Sequence, residues 1–296
     1  MPGESKLLDV NLSVDYPNKL SALRNVAFSM DRGEVLGLVG ESGSGKSTIA
    51  LALLRLLRWK GGRDKGQILL AGRDLMTLSE KKMERLRGSA IGLVQQSPVA
   101  SLNPALRIGT QMGEVWRAHA KSSRSELIES VKCALLRVGL PCDEEFRRRY
   151  PSQISVGQAQ RVLIAMAVMH SPSLLIADEP TSALDAMTRI EILNMLAMLN
   201  RNMGTAILYI SHDLQSVASI CQRIAILHHG EIVESGKTES IVRCPQHPYT
   251  QRLLACASWL PWWLNEAEQK RQSCSALQAK LKWPTYHRHR NSSTRE

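Results

Sequence analysis

The sequence predicts an α/β fold that has an antiparallel β subdomain and an inserted helical subdomain. Three short apolar runs, Val35–Val39, Leu174–Ala177 and Ala206–Ile210, have the unbroken hydrophobicity of strands that are buried on both faces. Near the N-terminus apolar and polar residues alternate instead, as in antiparallel strands with one buried face. From residue 97 onward the chain turns polar and helical in pattern before it returns to the α/β core.

The elements follow in order along the chain. Alternation over residues 10–16 and 26–30, followed by the turn signal Asp31–Gly33, predicts the antiparallel strands. The apolar stretch Ile49–Leu57 is too long for a strand and predicts a helix. A second helix is predicted over Ser125–Val138, where Leu127, Val131, Leu135 and Val138 recur at helical spacing.

These patterns divide the chain into three parts. The α/β core comprises residues 1–96 and 161–245 and closes with two strands around the turn at His228–Gly230. Residues 97–160 form the helical insertion, and residues 246–296 form a C-terminal extension with a basic, partly disordered tail. At 296 residues the chain is long enough for one substantial core and an insertion.

A complete G-x-x-x-x-G-K-[ST] phosphate loop lies between the first buried strand and the first helix, at residues 40–48. Glycines let the backbone fold around an anion, and the amides and the helix N-terminus face the phosphates. Lys46 supplies a charge to the β- and γ-phosphates, and the Ser47 hydroxyl can ligate Mg²⁺. The predicted nucleotide-binding residues of the loop are Gly40, Ser42, Gly43, Gly45, Lys46, Ser47 and Thr48.

Two further buried strands end in polar residues. Asp178 and Glu179 follow the second run, where Asp178 can hold Mg²⁺ through a water and Glu179 can act as the general base that polarises the attacking water. His212 follows the third run, on the same edge of the sheet, and can touch the γ-phosphate. A histidine in that position is by itself more often an ordinary surface or core residue, but the two acids nearby favour a catalytic role.

The remaining motifs resemble those of ATP-binding cassette (ABC) ATPases. The segment Tyr150–Gln158, followed by Gln160 and Arg161, closely resembles the signature motif of that family, and Gln96, Ser182–Asp185 and His212 complete its ordered set. The resemblance extends from about Leu7 to about Leu254. It implies a P-loop NTPase ABC ATPase fold that binds ATP with Mg²⁺ and hydrolyses it.

The resemblance also implies how two chains cooperate. They would pack head to tail, with each ATP held between the phosphate loop of one chain and the signature of the other. Gln96 would sense the γ-phosphate, join Ser47 and Asp178 at the magnesium ion, and couple to a membrane partner. Asp185 would cross the dimer interface. The signature residues that face the partner's ATP would be Ser155, Val156, Gly157 and Gln158.

One signature residue departs from the family pattern. The usual Ser-Gly-Gly-Gln is here Ser155–Gln158, with a β-branched valine at position 156 where glycine allows close approach of the backbone. Ser155 and Gln158 still have the spacing of a helix-capping box. In a head-to-tail dimer the change would affect the partner's ATP, which suits a pair of non-identical ATPases.

Two segments narrow the resemblance to importers of peptides and nickel. Gln96–Pro104 is similar to their Gln-loop segment, and Pro245–Thr250 is similar to the P-x-H-P-Y-T element that follows their core. The likeness fades beyond Thr250, where the cluster Trp259–Leu264 could pack on the core or on a partner. Tyr16 lies near the position where the family has an aromatic ring under the adenine, but it could equally be a strand tyrosine that packs on the core.

Composition adds limits. The net charge of +11 suggests nucleic acid as a partner, but much of the excess lies in Arg147–Arg149 and in the tail Lys280–Arg290, so we expect none. Such a tail is usually solvated and disordered, although anionic lipid headgroups would also attract it. The six cysteines contain no C-x-x-C pair, which predicts reduced thiols. No run approaches the ~20 apolar residues of a membrane span, and Met1–Lys6 lacks the apolar core of a secretory signal.

The sequence therefore predicts the ATPase subunit of an importer for peptides or nickel complexes, peripheral on the cytoplasmic face of the inner membrane. Its expected partners are a second ATPase chain, two membrane-spanning permeases and, indirectly, an extracytoplasmic solute-binding protein. The alternative is a soluble ABC ATPase that acts on nucleic acid or the ribosome. That class usually has two cassettes in one chain or a long coiled-coil insertion, and neither is seen in this sequence.

Overall fold

A computed structural model describes residues 6–17 and 19–256. The strands are β1 Lys6–Tyr16, β2 Lys19–Asp31, β3 Val35–Val39, β4 Arg63–Leu70, β5 Arg73–Asp74, β6 Ile91–Val94, β7 Leu174–Asp178, β8 Ala206–Ser211, β9 Arg223–His228 and β10 Glu231–Lys237. The helices are α1 Lys46–Leu53, α2 Glu80–Leu86, α3 Pro98–Ser101, α4 Ile108–Arg117, α5 Arg124–Arg137, α6 Glu144–Arg148, α7 Val156–Val168, α8 Ala186–Met203, α9 Leu214–Ile220, α10 Thr238–Arg243 and α11 Pro248–Cys256. Short 3₁₀ turns occur at Leu57–Lys60, Leu75–Thr77 and Pro151–Gln153.

The central sheet contains the three predicted apolar strands. Its strand order is β10-β9-β3-β8-β7-β6. The pairs from β9 to β6 are parallel, and β10 runs antiparallel to β9. Every residue of β3 and of β8 is buried, as expected for strands covered on both faces. The prediction of an α/β core is confirmed.

The predicted antiparallel subdomain is the second sheet, in the order β2-β1-β4-β5. In β1 the residues Leu8, Val10, Leu12 and Val14 are buried and alternate with more exposed residues from Asp9 onward, while Leu7 is buried as well. One hydrophobic cluster contains residues of both sheets together with Ile49, Leu53 and other residues of α1. The two sheets therefore share a core with the helix that follows the phosphate loop.

Helices α3 to α6 form the helical insertion, and α5 matches the helix predicted over residues 125–138. Its buried face includes Val131 and Leu135, and Val138 is buried directly after it. Residue 160, the predicted end of the insertion, lies inside α7. That helix packs on α3 and α5 and also on β6, so it connects the insertion with the α/β core.

The first helix is shorter than predicted, because α1 ends at Leu53 and not at Leu57. Arg55 has a left-handed φ of 55°, which an α-helix cannot contain. Its guanidinium donates to the carbonyl oxygen of Leu75 at 2.9 Å and lies 3.8 Å from the carboxylate of Asp64. These contacts are with residues distant in sequence, so hydrophobic periodicity could not predict the end of the helix.

Three sequence-based expectations concern the chain as a whole. Among the described residues, Cys133, Cys142, Cys221 and Cys244 are free thiols. No helix in the described ranges has both the length and the hydropathy to cross a bilayer. The tryptophan cluster at 259–264 and the basic tail at 280–290 lie outside the described residues.

Candidate functional site

The phosphate loop connects β3 to α1 in a conformation that needs glycine. Gly45, at the start of α1, has a left-handed φ of 114°, and a Cβ there would lie 2.5 Å from Cδ2 of Leu23. At Gly40 a Cβ would lie 2.2 Å from the carbonyl oxygen of Leu227. Larger residues at these two positions would displace the loop from the strands behind it. The glycines of the motif are thus explained by close packing as well as by backbone conformation.

Lys46 lies across the loop and is only 5% exposed. Its Nζ donates to the carbonyl oxygens of Gly40 at 2.8 Å and Glu41 at 3.0 Å. Burial lowers the pKa of Lys46, while the charges of Glu179, Asp178 and Glu41 oppose the shift. A buried ammonium that is bonded only to carbonyl oxygens can transfer its bonds to the phosphate oxygens of a nucleotide.

Asp178, at the end of β7, and Ser47, at the start of α1, face each other. Oδ1 of Asp178 is buried and has no hydrogen-bond partner. Burial raises the pKa of the Asp178 carboxyl, against the opposing effect of a hydrogen bond from Ser47. An unpaired carboxylate oxygen beside a hydroxyl is a donor set suited to Mg²⁺ or its water ligands, so the residues present fit that ion.

Glu179 is the centre of a hydrogen-bonded cluster. Its Oε2 accepts from Nε2 of Gln96 at 3.0 Å, and its Oε1 lies 2.9 Å from Nδ1 of His212. Its side chain is 13% exposed, against 54% for His212. Glu179 has a left-handed φ of 48°, and its N–H donates to the carbonyl oxygen of Ile210. The backbone is therefore held in an unusual conformation that directs the carboxylate to the two partners.

A cavity of about 390 Å³ lies at the phosphate loop. Gln96, Glu179 and Tyr16 line it together with residues of the phosphate loop, which are Ser42, Gly43, Gly45, Lys46, Ser47 and Thr48. The ring of Tyr16 also packs against the core, and a Cβ at Gly62 would lie 2.9 Å from its Cε1. Tyr16 thus has a place in the cavity wall and a packing role, and both sequence interpretations stay open.

The signature residues lie outside this cavity, at the start of α7. Ser155 caps the helix, because its Oγ accepts from the N–H of Gln158 at 3.1 Å while the Gln158 side chain accepts from the N–H of Ser155 at 3.0 Å. The predicted capping box is therefore present. Val156 is 43% exposed, so its side chain projects from the single chain. A Cβ at Gly157 would lie 2.7 Å from Cγ2 of Thr188.

Asp185 is exposed and caps α8. Its carboxylate accepts from the N–H of Thr188 at 3.0 Å and from the Thr188 hydroxyl at 2.7 Å. Both hydrogen bonds lower the pKa of Asp185. Because Thr188 also touches Gly157, the start of α7 and the start of α8 are adjacent on the surface of one chain.

Two contacts of the phosphate loop are not predicted by the sequence. The N–H of Glu41 donates to the hydroxyl of Tyr249 at 3.1 Å, across 208 residues of sequence. Tyr249 belongs to the Pro245–Thr250 element that the sequence analysis singled out, but nothing in its pattern indicates which residue it meets. Ser44 also makes a contact that the motif does not predict, because its carbonyl oxygen accepts from the N–H of Gly230 at 3.1 Å.

Sequence comparison finds related proteins over most of the chain. The family model described as ABC transporter matches residues 23–182. The glutathione import ATP-binding protein GsiA of Escherichia coli K12 is 43% identical over 259 residues, which cover 84% of this chain and 42% of GsiA. The oligopeptide transport ATP-binding protein OppD of Bacillus subtilis is 43% identical over 241 residues, covering 81% of this chain and 67% of OppD. The chain thus spans less than half the length of GsiA.

Solved structures agree with this comparison. The ATP-binding cassette MJ0796, in a dimeric post-hydrolysis state bound to ADP and Pi, has a TM-score of 0.68 at 28% identity and covers 78% of this chain and 98% of its own. The cbiO1 protein of Clostridium perfringens, part of the transporter complex cbiONQ, has a TM-score of 0.72 at 25% identity and covers 93% of this chain and 100% of its own.

Proposed function

This chain belongs to the ABC transporter family, and we propose that it is the ATP-hydrolysing subunit of an importer that energises uptake of peptides. The observation that best supports ATP hydrolysis is that Gln96 and His212 bond the two carboxylate oxygens of Glu179, and that Glu179 and Gln96 line the phosphate-loop cavity. A carboxylate in that position can orient a water for attack on the γ-phosphate.

The residues of the cluster and of the phosphate loop have different tasks in hydrolysis. Glu179 accepts the proton of the attacking water, while Gln96 and His212 hold its carboxylate in one orientation. When Glu179 is ionised, Nδ1 of His212 carries the hydrogen in their bond. Lys46 and the amides of the loop stabilise the charge that develops on the phosphate oxygens. Catalysis is then mainly positioning and electrostatic stabilisation.

Mg²⁺ would be held by Ser47 and Asp178, with Gln96 as the third ligand that the family resemblance implies. When bound, the ion neutralises phosphate charge. The unpaired Oδ1 of Asp178 supports this assignment.

The proposed active form contains two ATPase chains. The cavity that Lys46 lines contains none of the signature residues Ser155, Val156, Gly157 and Gln158. A head-to-tail partner would bring them to its own ATP, and Asp185 would lie at the interface. MJ0796, to which this chain is similar, was solved as a dimer with ADP and Pi. Because Val156 departs from the family pattern, we propose a second ATPase that is not identical to this chain.

Peptides are the proposed cargo, since the two relatives are named for import of glutathione and transport of oligopeptides. Nickel complexes have no comparable support. Two membrane-spanning permeases and a solute-binding protein would complete the importer, with this chain peripheral on the cytoplasmic face. The test is purification of the chain with its membrane partners, followed by ATP turnover with peptides or nickel complexes and the binding protein. Stimulation by nickel complexes alone would overturn the peptide assignment.

Replacement of Glu179 tests the catalytic assignment. We expect Glu179→Gln to retain ATP binding but to slow single-turnover hydrolysis in the assembled complex by about 10²- to 10⁴-fold, because the proton acceptor is lost. Lys46→Ala should differ from Glu179→Gln in losing ATP affinity in addition to hydrolysis, because a charge partner of the phosphates is removed. Glu129→Gln is the matched control, since Glu129 is an exposed residue of α5 that pairs with Lys132. Wild-type hydrolysis by Glu179→Gln would contradict the role of this residue.

A further inference from the structure

Hydrogen bonds hold the C-terminal element Pro245–Thr250 on the core beside the phosphate loop. Both carboxylate oxygens of Glu234 in β10 accept backbone N–H groups of the element, from Gln246 at 2.9 Å and from His247 at 3.0 Å. The N–H of Tyr249 donates to Nδ1 of His247 at 3.1 Å. These bonds fix the backbone from which the Tyr249 side chain extends.

The ring of Tyr249 is held as firmly as its backbone. It stacks on the ring of His228, at the end of β9, with 3.7 Å between the ring centroids and 20° between the planes. Tyr249 is 3% exposed. A buried, stacked ring has little rotational freedom, so the position of its hydroxyl is determined by the core.

That hydroxyl meets one peptide group of the phosphate loop. The peptide between Gly40 and Glu41 is bonded at both of its polar atoms: its N–H donates to Oη of Tyr249 at 3.1 Å, and its carbonyl oxygen accepts from Nζ of Lys46 at 2.8 Å. The orientation of this peptide therefore depends on a residue at the C-terminal end of the core and on the lysine that is proposed to bind the phosphates.

We propose that Tyr249 is a positioning residue for ATP binding, which acts by holding the Gly40–Glu41 peptide in the orientation that the phosphate loop needs. The inference rests on the proposed function, because it assigns a further residue to the same nucleotide site. Without the hydroxyl, the N–H of Glu41 loses its acceptor and the peptide can rotate. The loop must then be ordered when ATP binds, and this ordering weakens the affinity.

The effect belongs to binding and not to the chemical step. Among the described residues, no hydrogen bond joins Tyr249 to Glu179, Gln96 or His212. Its loss should raise the Kd and the KM for ATP and leave kcat nearly unchanged. A general loss of stability would have no such selectivity.

The test is the affinity of the full chain for a non-hydrolysable ATP analogue with Mg²⁺, measured by titration calorimetry. We expect Tyr249→Phe, which keeps the ring, to raise Kd by about two- to tenfold, as expected for one neutral hydrogen bond. In the assembled complex the KM for ATP should rise by a similar factor. Hydrogen exchange in the peptide that contains the Glu41 amide should also become faster.

Tyr209→Phe is the matched control. It removes the hydroxyl of another buried tyrosine, which bonds the Thr181 hydroxyl at 3.1 Å, and it should leave the Kd unchanged. Glu234→Ala, which releases the backbone of the element, is a second variant that should weaken binding as Tyr249→Phe does. An unchanged Kd in Tyr249→Phe would overturn the inference, as would equal weakening by Tyr209→Phe. If the wild-type chain itself fails to bind the analogue, the proposed function fails first.

Discussion

Two adjacent carboxylates, Asp178 and Glu179, have opposite surroundings. Glu179 has partners for both oxygens, Gln96 and His212. Asp178 has a buried oxygen without a partner, and burial raises its pKa. The first arrangement keeps one carboxylate in a fixed orientation, whereas the second leaves a carboxylate ready to bind a cation. The difference matches the roles of general base and metal acid that we propose for them.

The surroundings of Asp178 predict that this residue destabilises the nucleotide-free chain at neutral pH. Because its folded-state pKa is raised, the folded chain binds the proton more tightly than the unfolded chain, and stability falls as pH rises through the raised pKa. Asp178→Asn removes the ionisation and should raise Tm at pH 7, by about 2 to 4 °C for each kcal/mol gained. Calorimetry without nucleotide is the measurement.

The pH dependence and a control make this prediction specific. The advantage of Asp178→Asn should shrink as the pH is lowered and wild-type Asp178 takes up its proton. Asp185→Asn should show no upward shift, because the hydrogen bonds from Thr188 lower the pKa of Asp185. A lower Tm for Asp178→Asn at pH 7 would show that the carboxylate stabilises the free chain.

At the scale of elements, two capped helices begin side by side. Ser155 caps α7 and Asp185 caps α8, and the helices meet where Gly157 faces the methyl group of Thr188. The hydroxyl of Thr188 is bonded to Asp185, so the side chain cannot rotate away without breaking that bond. A glycine in the signature thus allows close packing within the chain, in addition to any contact with a partner's nucleotide.

We predict that Gly157→Ala destabilises the chain through this contact. The new methyl group would lie 2.7 Å from Cγ2 of Thr188, which forces a shift of the side chain or of the helix. Overpacking of this kind lowers the free energy of unfolding by about 1 to 3 kcal/mol. Urea unfolding of the variant measures the loss.

A second substitution separates overpacking from other effects of alanine. Thr188→Ser keeps the hydroxyl that bonds Asp185 and removes the methyl group, so it should restore most of the stability lost in Gly157→Ala. The double-mutant cycle then gives a coupling energy between the two positions. Independent, additive losses would show that the contact between α7 and α8 is not the cause.

At the scale of the whole molecule, residues from both sheets line the candidate nucleotide site, whereas the signature lies at the start of α7. Tyr16 belongs to the antiparallel sheet, whereas the phosphate loop, Gln96 and Glu179 follow the carboxyl ends of strands β3, β6 and β7 of the central sheet. Ser155 and Val156 are exposed at the start of α7, outside that cavity. One chain therefore presents two different surfaces, which the proposed head-to-tail dimer would combine into complete sites.

The separation predicts which site responds to Val156→Gly. The substitution should speed hydrolysis at the ATP held by the partner's phosphate loop by a few-fold to tenfold, since one better-placed amide is worth about 1 kcal/mol. The ATP at Lys46 should be unaffected. Because Val156 is 43% exposed, the stability of the chain should change by less than about 0.5 kcal/mol.

The measurement is steady-state ATPase activity of the complex with the lysine of one phosphate loop mutated at a time, so that each site is observed alone. Acceleration at the Lys46 site only would show that the head-to-tail assignment is wrong. No acceleration at either site would mean that the backbone already accommodates valine.

The fold class, the phosphate loop and the capping box at Ser155 could be predicted from the sequence, because each depends on residues that are near one another in the chain. Buried strands are recognised by short apolar runs, and a loop or a cap by fixed spacing. The same local signals failed near Arg55, where the helix has already ended and the backbone is left-handed, while the guanidinium contacts Leu75 and Asp64.

Only the tertiary structure decided which distant residues meet. Gln96 bonds Glu179 across 83 residues, and His212 bonds it across 33, because parallel strands bring their carboxyl ends to one edge of the sheet. The contact between Tyr249 and Glu41 spans 208 residues and depends on how the C-terminal element packs beside β9 and β10. The separation of such residues in the sequence does not determine the distance between them in the fold. Packing of the buried core sets that distance, since close-packed side chains allow few alternative arrangements.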